Sequence, residues 1–229
     1  MKNSRMKYNI LIIDDHPIII EGYKNAIEYF NQTNSEIEFE VESATSIDIA
    51  IQKTKKSISS NKVFDLVILD ISLPESKSFN IKSGEYLGIY IKNLAPKIKT
   101  IVITALNDNI RLVNIFSNLR PQGLLIKSDI TGGELIRAIK TVVEGSNHLS
   151  KSMVDLLHLK TSCDFKLDNL DLNILIELSN GAKMKDLQQI IPLTKSGIEK
   201  RKRNLKSKFK ILSNSDRDLV LAAKRKGFI

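Results

Sequence analysis

The stretch Phe64 to Pro74 reads Phe-Asp-Leu-Val-Ile-Leu-Asp-Ile-Ser-Leu-Pro, an apolar run that ends in a carboxylate. Leu66 to Leu69 is too short for a helix and lacks polar alternation, so it reads as a strand buried on both faces of a parallel sheet. Pro74 then forces the chain out of regular structure. Asp70 is thereby placed at the carboxyl end of a central strand, where open α/β sheets build their sites. A strand-end aspartate is also an ordinary turn or cap residue. What decides between the two is whether other parts of the chain converge on it.

The rest of the first 145 residues repeats the same unit. Tyr8 to Ile13 is an apolar strand that stops at Asp14-Asp15-His16-Pro17, and Ile18 to Phe30 has a helical apolar period. Ile37 to Ala44 alternates as a strand, and Ser46 to Ile58 reads as a helix with Ser46 as N-cap. After the Asp70 strand comes a polar loop, Glu75 to Ser83, then a helix from Gly84 to Leu94. Thr100 to Thr104 is a fourth strand, Ile110 to Leu119 a helix, and Gly123 to Lys127 a fifth strand ending in lysine. Thr131 to Glu144 is a helix whose Thr131 and Glu134 have the spacing of a capping box. Five strands alternating with five helices predict an α/β fold with a doubly wound, five-stranded parallel sheet.

Charge separates this part from the remainder. Residues 166–229 hold 15 Lys+Arg and 7 Asp+Glu, a balance of +8, whereas the other 165 residues balance to +1. A small basic domain behind a near-neutral one suggests a polyanionic partner for the basic half. Between them, 146–165 reads as a partly helical linker with one apolar turn-spacing (Met153, Leu156, Leu157). The expected division is therefore 1–145, 146–165 and 166–229. No apolar run approaches the roughly 20 residues of a membrane span, and the basic start Met1 to Lys7 runs into a strand broken by Asp14-Asp15, so no signal peptide is read there. The single Cys163 cannot form an internal disulfide and is assigned no role, which fits a reducing cytoplasm.

Three other strand ends carry reactive polar groups: Asp14-Asp15, Thr104 and Lys127. In a parallel sheet all carboxyl ends lie on one edge, so these residues and Asp70 can share one cleft. Three close carboxylates repel unless a hard divalent cation takes them as oxygen ligands. A lysine and a hydroxyl beside them could bind the oxygens of a transferred phosphoryl group.

In this combination Tyr8 to Glu144 resembles the receiver domain of a bacterial response regulator, a flavodoxin-like fold. The resemblance implies that Asp70 accepts a phosphoryl group from a sensor histidine kinase. It implies that Asp14, Asp15 and Asp70 hold Mg²⁺, with the backbone carbonyl of Ser72 completing the protein ligands, and that Thr104 and Lys127 contact the phosphoryl oxygens. The chain departs from the pattern twice. Receivers often carry an aromatic residue three before the lysine, and here that position is Leu124. The loop Pro74 to Gly84 is also several residues longer than usual.

The basic part reads as four helices. Leu172 to Leu178 ends at Asn180-Gly181, and Met184 to Ile191 ends before Pro192. Thr194 caps a third helix running to Lys210, and the last spans Asp216 to Lys226 with Gly227 closing it. In the third, Ile198, Leu205 and Phe209 form a narrow apolar stripe, and Lys195, Lys200, Arg201, Lys202, Arg203, Lys206, Lys208 and Lys210 make almost everything else basic. One buried stripe after a short turn, in a domain of this charge, fits entry into the major groove of double-stranded DNA.

Leu167 to Ile229 is similar to a LuxR-type helix-turn-helix output domain, with Gly197-Ile198 at the usual Thr-Val pair and Arg201 at the usual histidine. The resemblance implies that Glu199, Lys200 and Arg203 face base edges while Lys195, Ser196, Lys202 and Lys206 meet phosphates. Gly197, which costs a helix about 1 kcal/mol against alanine, would leave the helix start looser until DNA orders it. The expectation is a cytoplasmic regulator of transcription, not an enzyme, that dimerises when active and has no membrane partner. Two rivals stand beside it. One is a DNA-binding regulator switched by protein contacts without phosphate, which Leu124 keeps open. The other is a Mg²⁺-dependent aspartyl phosphatase, against which Ser72 stands where such enzymes place a second aspartate.

Overall fold

The computed structural model describes residues 5–105, 109–161, 165 and 167–229; Cys163, the boundary residue Lys166 and the first residues of the basic start lie outside them. The chain divides into two compact units, the first of residues 1–106 and 113–154 and the second of residues 107–112 and 155–229.

Up to residue 143, β1 (Met6–Ile13), α1 (Pro17–Thr33), β2 (Ile37–Ala44), α2 (Ile47–Ser59), β3 (Leu66–Asp70), α3 (Gly84–Leu94), β4 (Lys99–Thr104), α4 (Asn109–Leu119), β5 (Gly123–Ile126) and α5 (Gly132–Val143) alternate as expected. The sheet runs β2-β1-β3-β4-β5 with a sixth strand beside β5, and every pairing is parallel. All five residues of β3 are buried, as a central strand covered on both faces requires. One face of the sheet packs Ile10, Ile12, Ile68 and Ile101 against Ile20, Ile27, Leu135 and Ile139 of α1 and α5. The other packs Leu11, Ile13, Val67 and Leu69 against Ile47, Ile51, Leu87 and Ile91 of α2 and α3.

The structure differs from the sequence reading at the end of the sheet. A sixth strand, β6 (His148–Leu149), pairs with β5 in the stretch read as linker. Two residues are too few to show any period, which is why the strand is invisible in the sequence. Lys127 is not the last residue of β5; it opens a 3-10 turn, Lys127–Asp129. The capping box of α5 is only half formed. The Thr131 hydroxyl accepts from Glu134 N at 3.2 Å, but the Glu134 carboxylate lies 2.7 Å from His148 Nε2 and also pairs with Arg137. The linker helix α6 (Lys151–Thr161) crosses the division between the two units.

The long loop after Asp70 is ordered by its own backbone. Ser76 and Ile81 exchange both hydrogen bonds, at 2.8 and 3.0 Å. Leu73 and Ile81 are buried, and the Lys55 ammonium sits 5.3 Å from the centre of the Phe79 ring.

The second unit holds α7 (Asn169–Ser179), α8 (Met184–Ile190), α9 (Lys195–Lys208) and α10 (Asp216–Arg225). Its core joins Ile174 and Leu175 to Leu187, Ile198, Leu205, Leu219 and Ala223. Phe165, Phe209 and Phe228 close one end, with ring centroids 5.1 to 5.6 Å apart. Asp168, Thr194 and Ser215 cap α7, α9 and α10. Gly181 and Gly227 take the left-handed conformations, φ 88° and 70°, that close α7 and α10.

Candidate functional site

Register alone brings the polar strand ends together. Ile13 lies beside Leu69, Asp70 beside Ile103, and Thr104 beside Ile126, so the residues just past each strand emerge along one edge. The Lys127 ammonium lies 2.9 Å from Asp14 Oδ2 and 2.8 Å from Asp70 Oδ2. Both carboxylates are 2% exposed, so these pairs act in a low dielectric. Burial pulls the Lys127 ammonium down, but hydrogen bonds to Asp70 and Asp14 outweigh it and hold its pKa above the ordinary value. Asp70 Oδ1 accepts from Ser72 N at 3.1 Å, which places the backbone of Ser72 against the carboxylate. Thr104 is fully buried at the end of β4.

Asp14 Oδ1 accepts from His16 N at 2.9 Å. Asp15 stands differently. Its Oδ1 is buried and lacks a hydrogen bond of acceptable geometry, although His16 Nδ1 lies 3.0 Å away. Asp14, Asp15, His16 and Asp70 each offer one ligand atom, and these atoms lie within 4.8 Å of one another. Three carboxylates against one ammonium leave the cleft negative. A buried carboxylate oxygen without a donor is costly, and a hard cation held by oxygen ligands relieves both. The donor set therefore fits such an ion.

Two neighbours were not readable as site residues. Tyr23 of α1, which the sequence shows only as part of an apolar period, has its hydroxyl pushed up to about 12 by burial, with Lys127 lowering it and Asp14 and Asp70 raising it. Gly84 opens α3 against the back of the site. A Cβ there would sit 2.1 Å from the Asp70 carbonyl oxygen. Leu124 is fully buried in β5 between Val102 and Leu149.

On α9 the basic residues divide. Lys195, Ser196, Glu199, Lys200 and Arg203 are exposed. Lys202 and Lys206 are half-buried and engaged: both pair with Asp216 at the start of α10, and Lys206 Nζ also donates to Asn214 O at 2.6 Å. Arg201 holds Asp168 and Asp171 of α7, each at 2.7 Å. Gly197 donates its N–H to the Thr194 hydroxyl at 3.2 Å, so the start of α9 is capped despite the glycine.

The model of the response regulator receiver domain matches residues 10–140. The chain belongs to this family. Among curated relatives, the regulator is 24% identical over 214 residues to the transcriptional regulatory protein MctR of Rhizobium johnstonii, covering 92% of this chain and 91% of that protein. Among solved structures, it resembles two RcsB dimers bound to two parallel DNAs, with a TM-score of 0.65 and 21% identity over 95% of this chain and 98% of that one. It also resembles RcsB from Salmonella enterica serovar Typhimurium bound to promoter rprA with the phosphomimetic BeF₃⁻, with a TM-score of 0.62, 21% identity and coverage of 94% and 97%. At these identities the structural likeness speaks for the fold, and it extends across both units of the regulator.

Proposed function

We propose that this regulator is a phosphorylation-controlled transcription factor. A sensor histidine kinase donates the phosphoryl group, the Asp70 carboxylate accepts it, and the basic unit binds double-stranded DNA as a homodimer. The observation that carries this reading is the buried Asp14–Lys127–Asp70 arrangement beside the unpartnered Asp15 oxygen. In the transfer an Asp70 oxygen attacks phosphorus, the bond to the donor's imidazole nitrogen breaks, and the imidazole leaves with that electron pair. Mg²⁺, held by Asp14, Asp15, Asp70 and the carbonyl of Ser72, would offset the charge of carboxylates and phosphoryl oxygens. Lys127 and the Thr104 hydroxyl would take phosphoryl oxygens, which for Lys127 means exchanging a carboxylate partner for the new anion.

RcsB is bound to DNA as dimers in one of these structures and to a promoter in the presence of a phosphomimetic in the other, which supports carrying those partners over. On α9, Glu199, Lys200 and Arg203 would reach base edges, with Lys195 and Ser196 on phosphates. Lys202 and Lys206 would join the phosphate contacts by giving up Asp216. The domain division 1–145, 146–165 and 166–229 goes with this reading, as do a cytoplasmic location and the absence of enzymatic turnover. No helix among the described residues is long and apolar enough to cross a membrane. The buried Leu124 favours, as a second reading, a regulator that switches by protein contacts without phosphate.

Titrating Mg²⁺ while monitoring backbone amide shifts tests the site. Weak binding should perturb the residues at the ends of β1 and β3, namely Asp14, Asp15, Asp70 and Ser72. Shifts confined to remote residues would remove the metal assignment.

A further inference from the structure

The segment after α5 stays with the sheet before it leaves. The chain turns at Gly145, φ 99°, adds β6 beside β5, and starts α6 at Lys151. The turn into α6 is fastened to β5 and to the 3-10 turn Lys127–Asp129. Ser150 N donates to Leu124 O at 3.0 Å, and the Ser150 hydroxyl accepts from Ile126 N at 3.2 Å. Ser150 is fully buried.

Ser150 is where the N-cap of α6 belongs, since its carbonyl accepts from Met153 N and Val154 N, both at 3.0 Å. A serine there normally turns its hydroxyl onto the helix's own free N–H groups. Here that hydroxyl serves β5, and the first turn of α6 takes its cap from elsewhere. The Asp129 carboxylate accepts from Ser152 N at 2.9 Å and from the Ser152 hydroxyl at 2.8 Å. Asp129 ends the 3-10 turn that Lys127 begins. One turn of chain thus separates the ammonium held by Asp14 and Asp70 from the carboxylate that caps the linker helix.

We propose that Asp129 is a positioning residue that couples the phosphoryl site to the linker, because a displacement of the turn carrying Lys127 tightens or releases the cap on α6. The inference rests on the proposed function, in which Lys127 exchanges a carboxylate partner for the phosphoryl group. A helix cap taken from another segment is lost when that segment moves, whereas a cap from the helix's own N-cap residue is not. Because α6 runs on past Val154, where the second unit begins, a change in its first turn enters the path to the output domain by chain continuity.

The test uses the full chain with Mg²⁺ and a small acyl phosphate as donor, comparing wild type, Asp129→Ala and Asp129→Asn. Three quantities are read: phosphoryl incorporated, amide exchange across residues 152–154, and the donor-dependent gain in affinity for DNA carrying two half-sites. In wild type, the donor should change exchange in the first turn of α6. Asp129→Ala, which removes the acceptor of both Ser152 donors, should take up the phosphoryl group as wild type does, yet lose most of the gain, about five-fold or more. Asp129→Asn, which keeps a side-chain oxygen for the Ser152 N–H, should restore it. A purely structural role for Asp129 would lower stability and leave the gain intact. Retention of the full gain by Asp129→Ala, or exchange at 152–154 indifferent to phosphorylation in wild type, overturns the coupling. Absence of phosphoryl on wild type would instead overturn the underlying reading, and the coupling with it.

Discussion

Asp70→Asn is expected to reduce phosphoryl uptake to background. The substitution is nearly isosteric and sits in a strand whose residues are all buried, so the fold survives while the nucleophilic oxygen is lost. Asp14 keeps Lys127 in place from the other side at 2.9 Å, so the variant loses the acceptor oxygen and one anionic ligand of the metal site while the lysine stays. With a small acyl phosphate and Mg²⁺, wild-type protein should gain one acid-labile phosphoryl group and the variant none. Equal labelling of both would move the acceptor elsewhere. Steady turnover of a phosphate ester by wild type would favour the phosphatase reading instead.

Gly84→Ala should destabilise the first unit by about 3 kcal/mol. Alanine ordinarily gains up to about 1 kcal/mol over glycine in a helix, and Gly84 has no left-handed backbone conformation to defend. The added methyl, however, would lie 2.1 Å from the Asp70 carbonyl oxygen and 2.8 Å from Ile71 Cα. Both are backbone atoms of the strand end that carries the site, so neither can turn aside as a side chain would. The clash outweighs the propensity. Gly22→Ala is the control: nothing lies within 4 Å of a Cβ there, and the exposed face of α1 should gain a few tenths of a kcal/mol or more. Urea unfolding that finds the two variants equally stable would contradict the close approach of α3 to β3.

The receiver sheet was legible because β3 and β5 are apolar runs, β1 ends in one and β2 alternates, and every strand but β2 ends on or just before a residue with chemistry. Asp14, Asp70 and Lys127 meet because parallel register demands it. What stayed hidden depends on partners distant in sequence or on elements too short to carry a period. β6 has two residues, and its role appears only when Gly123 and Leu124 are seen beside His148 and Leu149. Gly84 reads as an ordinary helix start, with nothing to announce the carbonyl beneath it. On α9 the sequence shows a row of equivalent cations. The structure sorts them, because Asp216 and Asp171 approach from other helices and engage Lys202, Lys206 and Arg201 while Lys200 and Arg203 remain exposed. A helical period cannot distinguish a lysine facing solvent from one facing a neighbouring helix end.

On the proposed function, phosphorylation of Asp70 controls DNA binding through dimer formation. It is tested most directly by measuring affinity for single and paired half-sites, with and without the phosphodonor, at several salt concentrations. Affinity should fall steeply as salt rises, as for any binding that releases counterions from DNA. Two output units on adjacent half-sites gain from effective concentration, so the donor should tighten binding to paired sites far more than to single ones, and Asp70→Asn should show no such gain. An equal shift on both site types would point to release of an inhibited domain rather than dimerisation, and no shift on either would contradict control by phosphate.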